Sequence, residues 1–304
     1  MFHTVRNSLK FSSRSKALSS LYLSSGFKSF QAFKYSTAEQ NKINSALKPD
    51  EFIPFQLIKA EKINHNTKLY RFKIDDDSVS GMVVASSLVT KVPDYNGAGI
   101  DLIRPYTPTS LETTKGELDL VVKVYPEGKM SKHIDSLKVG DSLLMRGPIV
   151  KYKYEANKFK EIGMIAGGTG ITPMLQIIRK VLHNPEDKTE LKLLFANTGI
   201  EDILLKEELD KLAADHGDQF KVSYIISSLD NRTTWDGHFG YITKDIIEKF
   251  IPIPKNVPES ITYVCGPPGM MNVICLPKVG RNDQGPTGGF LGELGFTPSH
   301  VFKF

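Results

Sequence analysis

Cysteine is almost missing from this chain: 304 residues contain two, Cys265 and Cys275. Two cysteines cannot staple a disulfide scaffold, and no CxxC pair exists for zinc or an iron–sulfur cluster. The seven histidines are scattered, with no HExxH or HxH set, so the expected site is free of metal. No run of 18 apolar residues occurs, which excludes an ordinary transmembrane helix from the reading. Glycine and proline are spread evenly, which excludes a collagen-like or low-complexity fibre. The 17 Phe and 11 Tyr supply ample surface to bury, which excludes general disorder.

Acid is absent from residues 1–38, which carry Arg6, Lys10, Arg14, Lys16, Lys28 and Lys34. The chain's net charge of +5 rests on that segment. Without those six cations, 33 basic residues face 34 acidic ones, so the body is nearly neutral. The basic balance therefore gives no sign of a nucleic-acid surface on the folded part. Residues 1–38 are also rich in serine, with Phe2, Phe11, Leu18, Leu21, Tyr22 and Phe27 interspersed. That composition is expected of a mitochondrial targeting segment, disordered or cleaved, with processing near Tyr35–Ser36. It lacks the clean apolar core of a secretory signal, because four serines interrupt Ala17–Phe27.

Two textures follow. Residues 50–156 hold short β-rich runs such as Lys68–Ile74, Met82–Ala85, Leu118–Val124 and Ser142–Met145, divided by Gly, Pro and Asp. This pattern predicts an antiparallel barrel, with one helix over 132–137 capped by Ser131. Residues 159–304 alternate strand and helix. Strands are predicted at Glu161–Ala166, Leu191–Ala196, Val222–Ser227 and Ile261–Val264. Helices are predicted after Thr172 with Pro173 at the first position, over Glu201–Asp215, and over Asp245–Phe250. Such alternation implies a parallel sheet covered on both faces.

The residues that carry chemistry fall between these elements. Ala166-Gly-Gly-Thr-Gly-Ile-Thr-Pro173 joins a strand to a helix, where glycines let amides approach a pyrophosphate. It departs from the Rossmann fingerprint, since the next strand ends Phe195-Ala196-Asn197 with no acid. Cys265-Gly-Pro-Pro-Gly-Met270 follows a later strand at its carboxyl end, where open parallel sheets bind ligands. Taken singly, Cys265 reads as a small core residue. In the barrel half, Arg104-Pro-Tyr-Thr107 combines a cation for a phosphate, a phenol for a flat ring and a hydroxyl for a ring nitrogen. Gly128-Lys-Met-Ser131 is a second glycine turn at a helix start. Two anion sites on two domains suggest two nucleotides.

These four motifs, in this order and spacing, resemble the ferredoxin-reductase-like flavoenzymes, and most of all the NADH–cytochrome b5 reductases of the mitochondrial fungal type. The similarity runs from about Phe55 to the terminal Val301-Phe-Lys-Phe304. It implies an antiparallel β-barrel FAD domain followed by an α/β parallel-sheet NAD domain. By this resemblance Arg104 holds FAD phosphate, Tyr106 lies against the isoalloxazine, Thr107 reaches the flavin near N5, and Pro105 between them is also among the cofactor-binding residues. Val121 and Lys123 on the next strand also contact FAD. Gly128, Lys129, Met130 and Ser131 bind its pyrophosphate, and Thr172 touches the flavin from the other domain. Thr169, Gly170, Cys265, Gly266, Pro267 and Met270 shape the NADH site, with Cys265 beside the nicotinamide. Asp236, after Trp235, would lie near the adenosine ribose and repel the 2′-phosphate of NADPH.

The implied reaction passes hydride from NADH to FAD, then single electrons to a haem protein such as cytochrome b5, with Thr107 and Cys265 at the reacting atoms. The alternative within the same resemblance is another electron transferase with a different nucleotide or acceptor. Lys129, Lys132, Lys151, Lys153 and Lys158 cluster in sequence near the flavin motifs and would attract an acidic haem domain. The implied compartment is the mitochondrion.

Overall fold

The computed structural model describes residues 44–229, 234–280 and 283–304. The targeting segment expected at 1–38 lies outside them. Two six-stranded sheets, each with its own core, make up the described chain.

The first sheet contains β1 (Ile53–Lys62), β2 (Thr67–Lys73), β3 (Ser86–Val92), β4 (Leu102–Tyr106), β5 (Glu117–Lys123) and β6 (Ser142–Val150), in the order β4-β3-β6-β1-β2-β5 and antiparallel throughout. Its ends meet where Thr109 N, just past β4, donates to the Asp119 carbonyl of β5 at 2.9 Å. Strand alternation decides what each side chain faces. On β5, Leu118, Leu120 and Val122 enter the barrel core. Val121 between them points the other way and packs with the second domain's core. The stretch Met82–Ala85, expected as a strand, is irregular and ends in a turn at Val84–Ala85, with Ala85 in the left-handed region at φ 58°. Pairing begins one residue later, at Ser86. The barrel also takes in residues before 50: Leu47 is buried in its core and Gly147 N donates to the Lys48 carbonyl.

The second sheet is parallel. It holds β7 (Glu161–Gly167), β8 (Glu190–Asn197), β9 (Phe220–Ile226), β10 (His238–Phe239), β11 (Ser260–Cys265) and β12 (Val301–Lys303), in the order β10-β9-β8-β7-β11-β12. Residues of α2 (Ile171–Leu182) and α3 (Lys206–Asp215) join the core cluster on one face. Residues of α4 (Lys244–Phe250), α5 (Pro268–Ile274) and α6 (Gly289–Glu293) join the cluster on the other. The barrel's own helix is α1 (Lys129–Ser136).

Two helix starts differ from the sequence reading. Helix α1 starts at Lys129 with Gly128 as its cap, and α2 starts at Ile171 with Gly170 as its cap. Ser131 and Thr172 sit inside the first turns, where their hydroxyls donate back to the carbonyls of Gly128 and Thr169. The helix expected over Glu201–Asp215 is also broken. A 3-10 turn spans Ile200–Asp202, Leu205 is left-handed at φ 59°, and α3 begins at Lys206. Asp202 lies in that turn, where its carboxylate accepts from Gly199 N and from Lys123 of the barrel.

Candidate active site

From β7 the chain runs outward one way through β8, β9 and β10, while β11 and β12 lie on its other side. The order therefore reverses between β7 and β11, and ligands of such sheets bind in the crevice at that reversal, beyond the strand carboxyl ends. Both sequence motifs of this domain are there. The glycine turn Gly168–Gly170 leaves β7, and Cys265-Gly-Pro-Pro leaves β11, with Cys265 in register with Ala166. The two loops interlock through their glycines. A Cβ on Gly170 would fall onto the Cys265 carbonyl, and one on Gly167 would lie 2.9 Å from Pro267 Cδ and 2.8 Å from Met270 Sδ. Gly266 is closed in the same way by the Met270 side chain. These glycines let the two loops pack directly on each other, while Gly168, with nothing within 4 Å of its Cβ position, leaves the turn open on one side.

Cys265 is half-buried, and burial pushes its thiol up to about 12, with Lys278 opposing. It is a neutral thiol at physiological pH and supplies shape, not a nucleophile. Thr169 is half-buried and Thr172 buried in the first turn of α2. Asp236 is exposed, two residues before β10, the edge strand of the sheet.

The barrel contributes a second half-site. Arg104 and Lys129 line one cleft of about 290 Å³ together with Tyr95, Ile100 and Leu102. Asp101 on its rim is paired with Lys91 at 2.6 Å, so the cleft retains a net positive character. Arg104 uses one donor on the Ile103 carbonyl at 2.7 Å. Gly128 closes the turn before α1, where a Cβ would collide with Ser131 Oγ. Ser131 in turn accepts from Tyr125 N at 3.3 Å and so fixes the turn's shape. Met130 is buried in the barrel core, so only its backbone can take part in binding. Pro105 is exposed, and Tyr106 and Thr107 are half-buried. Burial pushes the Tyr106 phenol up to about 12 against the pull of Arg104, so the ring is neutral and suited to stacking.

Strand β5 joins the two domains: it packs against the Gly168–Gly170 turn. Val121 fills this seam. Lys123, expected to contact FAD, has its ammonium 2.9 Å from the Asp202 carboxylate across the seam. Burial works against that carboxylate's charge, but Lys123, Gly199 N and His65 hold it below the ordinary aspartate range.

This arrangement agrees with the comparisons to known proteins. Residues 54–154 match the oxidoreductase FAD-binding domain family, and residues 164–276 match the oxidoreductase NAD-binding domain family. An NADH-cytochrome b5 reductase 2 of Lodderomyces elongisporus is 46% identical over 256 residues, 84% of each chain. The chain belongs to the NADH-cytochrome b5 reductase family. An Arabidopsis thaliana NADH-cytochrome b5 reductase-like protein is 47% identical over 88% of this chain and 80% of its own. Among solved structures, the cytochrome b5 reductase domain of Ulva prolifera nitrate reductase superposes with a TM-score of 0.73. It is 32% identical and covers 86% of this chain and 100% of its own.

The reductase has one residue at this site that the sequence reading passed over. Asn197 ends β8 at the carboxyl edge, where a Rossmann strand carries an acid. Both its amide atoms are buried without a protein partner. A buried unpaired amide is costly, and a bound nucleotide is a natural partner for it. The signal was visible as a missing acid, but burial of the replacement was not.

Proposed function

We propose that this reductase takes hydride from NADH and delivers single electrons to a haem protein, cytochrome b5, with FAD between them. The observation that carries the reading is that the barrel, which holds the Arg104–Lys129 cleft, docks through β5 on the glycine turn at the switch point of the second sheet. FAD, when bound, supplies the redox chemistry, because it accepts an electron pair and releases it one electron at a time.

The chain's own residues bind, orient and exclude. Arg104 and Lys129 would neutralise the FAD phosphates, with Gly128–Ser131 offering the amides of the α1 start. Tyr106 would lie against the flat ring, and Thr107 and Thr172 would present hydroxyls to it from the two domains. Gly170, Gly266 and Pro267 would admit the dinucleotide close to backbone, and the neutral Cys265 thiol would border the nicotinamide without competing for charge. Asp236 would disfavour a 2′-phosphate by like-charge repulsion and so select NADH.

The acid-free segment 1–38 supports delivery to the mitochondrion. Among the described residues, no helix is long and apolar enough to cross a membrane.

The test is direct. Purified protein should be yellow, with flavin absorbance at about 450 nm that NADH bleaches and cytochrome b5 restores. A colourless protein that binds no FAD on addition would overturn the reading.

A further inference from the structure

Two cofactor half-sites on separate domains are productive only if the domains are held in one register, since misplacement by about 1 Å costs roughly a hundredfold in rate. One side chain is placed to set that register. Arg179 lies on α2, seven residues after Thr172, so the two share one helix face about two turns apart. Its Nε and Nη2 donate to Glu208 of α3 at 2.6 and 2.8 Å. Its Nη1 crosses the domain boundary and donates to the carbonyl of Thr109.

Thr109 is two residues beyond Thr107, and buried Pro108 lies between them. Proline fixes its own φ and restrains the residue before it, so anchoring Thr109 restrains Thr107. Thr109 is anchored from the barrel side too, through its N–H to the Asp119 carbonyl, while Asp119 is held bidentate by Arg71. The loop that carries Thr107 is thus clamped between β5 and α2. Arg179 is one-fifth exposed at most, so it is not an ordinary surface cation (18%).

We propose that Arg179, aimed by Glu208, is a positioning residue for hydride transfer: it fastens the Thr107 loop of the flavin domain to the helix that carries Thr172. The inference rests on the reductase reading above. A planar fork is required, because a lysine cannot bind Glu208 twice and the Thr109 carbonyl at once. Lys180, the next residue, makes a second cross-domain bond, to Glu112 at 2.8 Å, but its side chain is 47% exposed and the pair is wet. That neighbour is the control, because exposed pairs contribute little.

The experiment compares Arg179→Met, Glu208→Gln and Lys180→Met as FAD-loaded protein. Two quantities are read: the limiting rate of flavin reduction at saturating NADH, and the long-wavelength charge-transfer absorbance of the reduced protein with NAD⁺, which reports ring stacking. Arg179→Met should slow the limiting rate by about tenfold or more and weaken the absorbance, with a smaller change in the NADH concentration for half-saturation. Glu208→Gln should do the same more mildly, and Lys180→Met should match wild type. If Arg179→Met fails to hold FAD, Glu208→Gln decides alone. Wild-type rate and absorbance in whichever variant decides would overturn the inference, as would equal slowing in Lys180→Met. Failure of the wild type itself to be bleached by NADH would instead sink the reductase reading on which the inference stands.

Discussion

Arg104 and Cys265 show how much a residue's chemistry depends on its surroundings. Arg104 shares a cleft with Lys129, and the nearest acid on the rim is already paired with Lys91. Charge-assisted bonds to a phosphate are worth about 1.5–3 kcal/mol, so Arg104→Ala should weaken FAD binding by roughly tenfold to a hundredfold. Equilibrium dialysis followed by flavin absorbance measures it, and full retention of FAD would remove Arg104 from the site. Cys265 is the opposite case, a reactive residue type made inert. Its thiol is raised from 9.0 to about 12 by burial. A raised group contributes its stability below the unfolded value, about 9, and loses it as pH rises toward the folded value. Across pH 6–8.5 neither stability nor activity should track this thiol. Alkylation in native protein should stay slow and nearly flat over that range, and fast labelling at pH 7 would show the thiolate is accessible after all.

Elements are placed here by contacts that lie far away in sequence. Gly170 ends a 3-10 turn after β7, yet its lack of a side chain is dictated by the Cys265 carbonyl at the end of β11. Gly170→Ala should therefore force the two loops apart. Overpacking against backbone costs about 1–3 kcal/mol or more, and the variant should lose NADH affinity along with thermal stability. Gly168→Ala gives a contrast: a Cβ there meets no protein atom within 4 Å, but the residue has φ +52°, so the cost to the fold is backbone strain alone. Denaturation midpoints and NADH titrations of the two variants separate the effects. Equal NADH affinity in Gly170→Ala and wild type would show that the interlock does not shape the site. Residues 201–215 have a helical pattern, but Leu205 is left-handed and α3 starts only at Lys206, while Asp202 in the preceding turn is paired with Lys123 of β5.

At the scale of the whole molecule the question is how an acceptor finds the flavin. The exposed lysines near the flavin motifs are unequal. Lys129 lines the Arg104 cleft, so its charge is assigned to the proposed cofactor site. Lys153 and Lys158 both lie 3.8 Å from the Glu155 carboxylate, which offsets part of their field. Lys132 is exposed on α1. Steering of an acidic haem domain is screened over roughly 8–10 Å at 0.1–0.15 M ionic strength. Cytochrome b5 reduction should fall as salt rises to about 300 mM, while flavin bleaching by NADH in a single turnover changes much less. Lys132→Glu combined with Lys153→Glu should reproduce the loss at low salt. An unchanged kcat/KM for cytochrome b5 in that variant would mean these lysines are ordinary surface.

The sequence alone determined the two-domain order, most strands, and the four motifs. Each is written in local signals: alternation of side chains along a strand, apolar periodicity in a helix, glycines where backbone must come close. It could not place the starts of α1 and α2, because both caps are glycines whose role is set by packing rather than by a side-chain bond. Nor could it show that Lys123 would pair with Asp202, that the Asn197 amide would be buried without a protein partner, or that Arg179 would reach Thr109. Each of those facts depends on which residues of one domain face the other. That pairing is decided only when β5 docks on the glycine turn of the second sheet, and no local pattern in either segment encodes it.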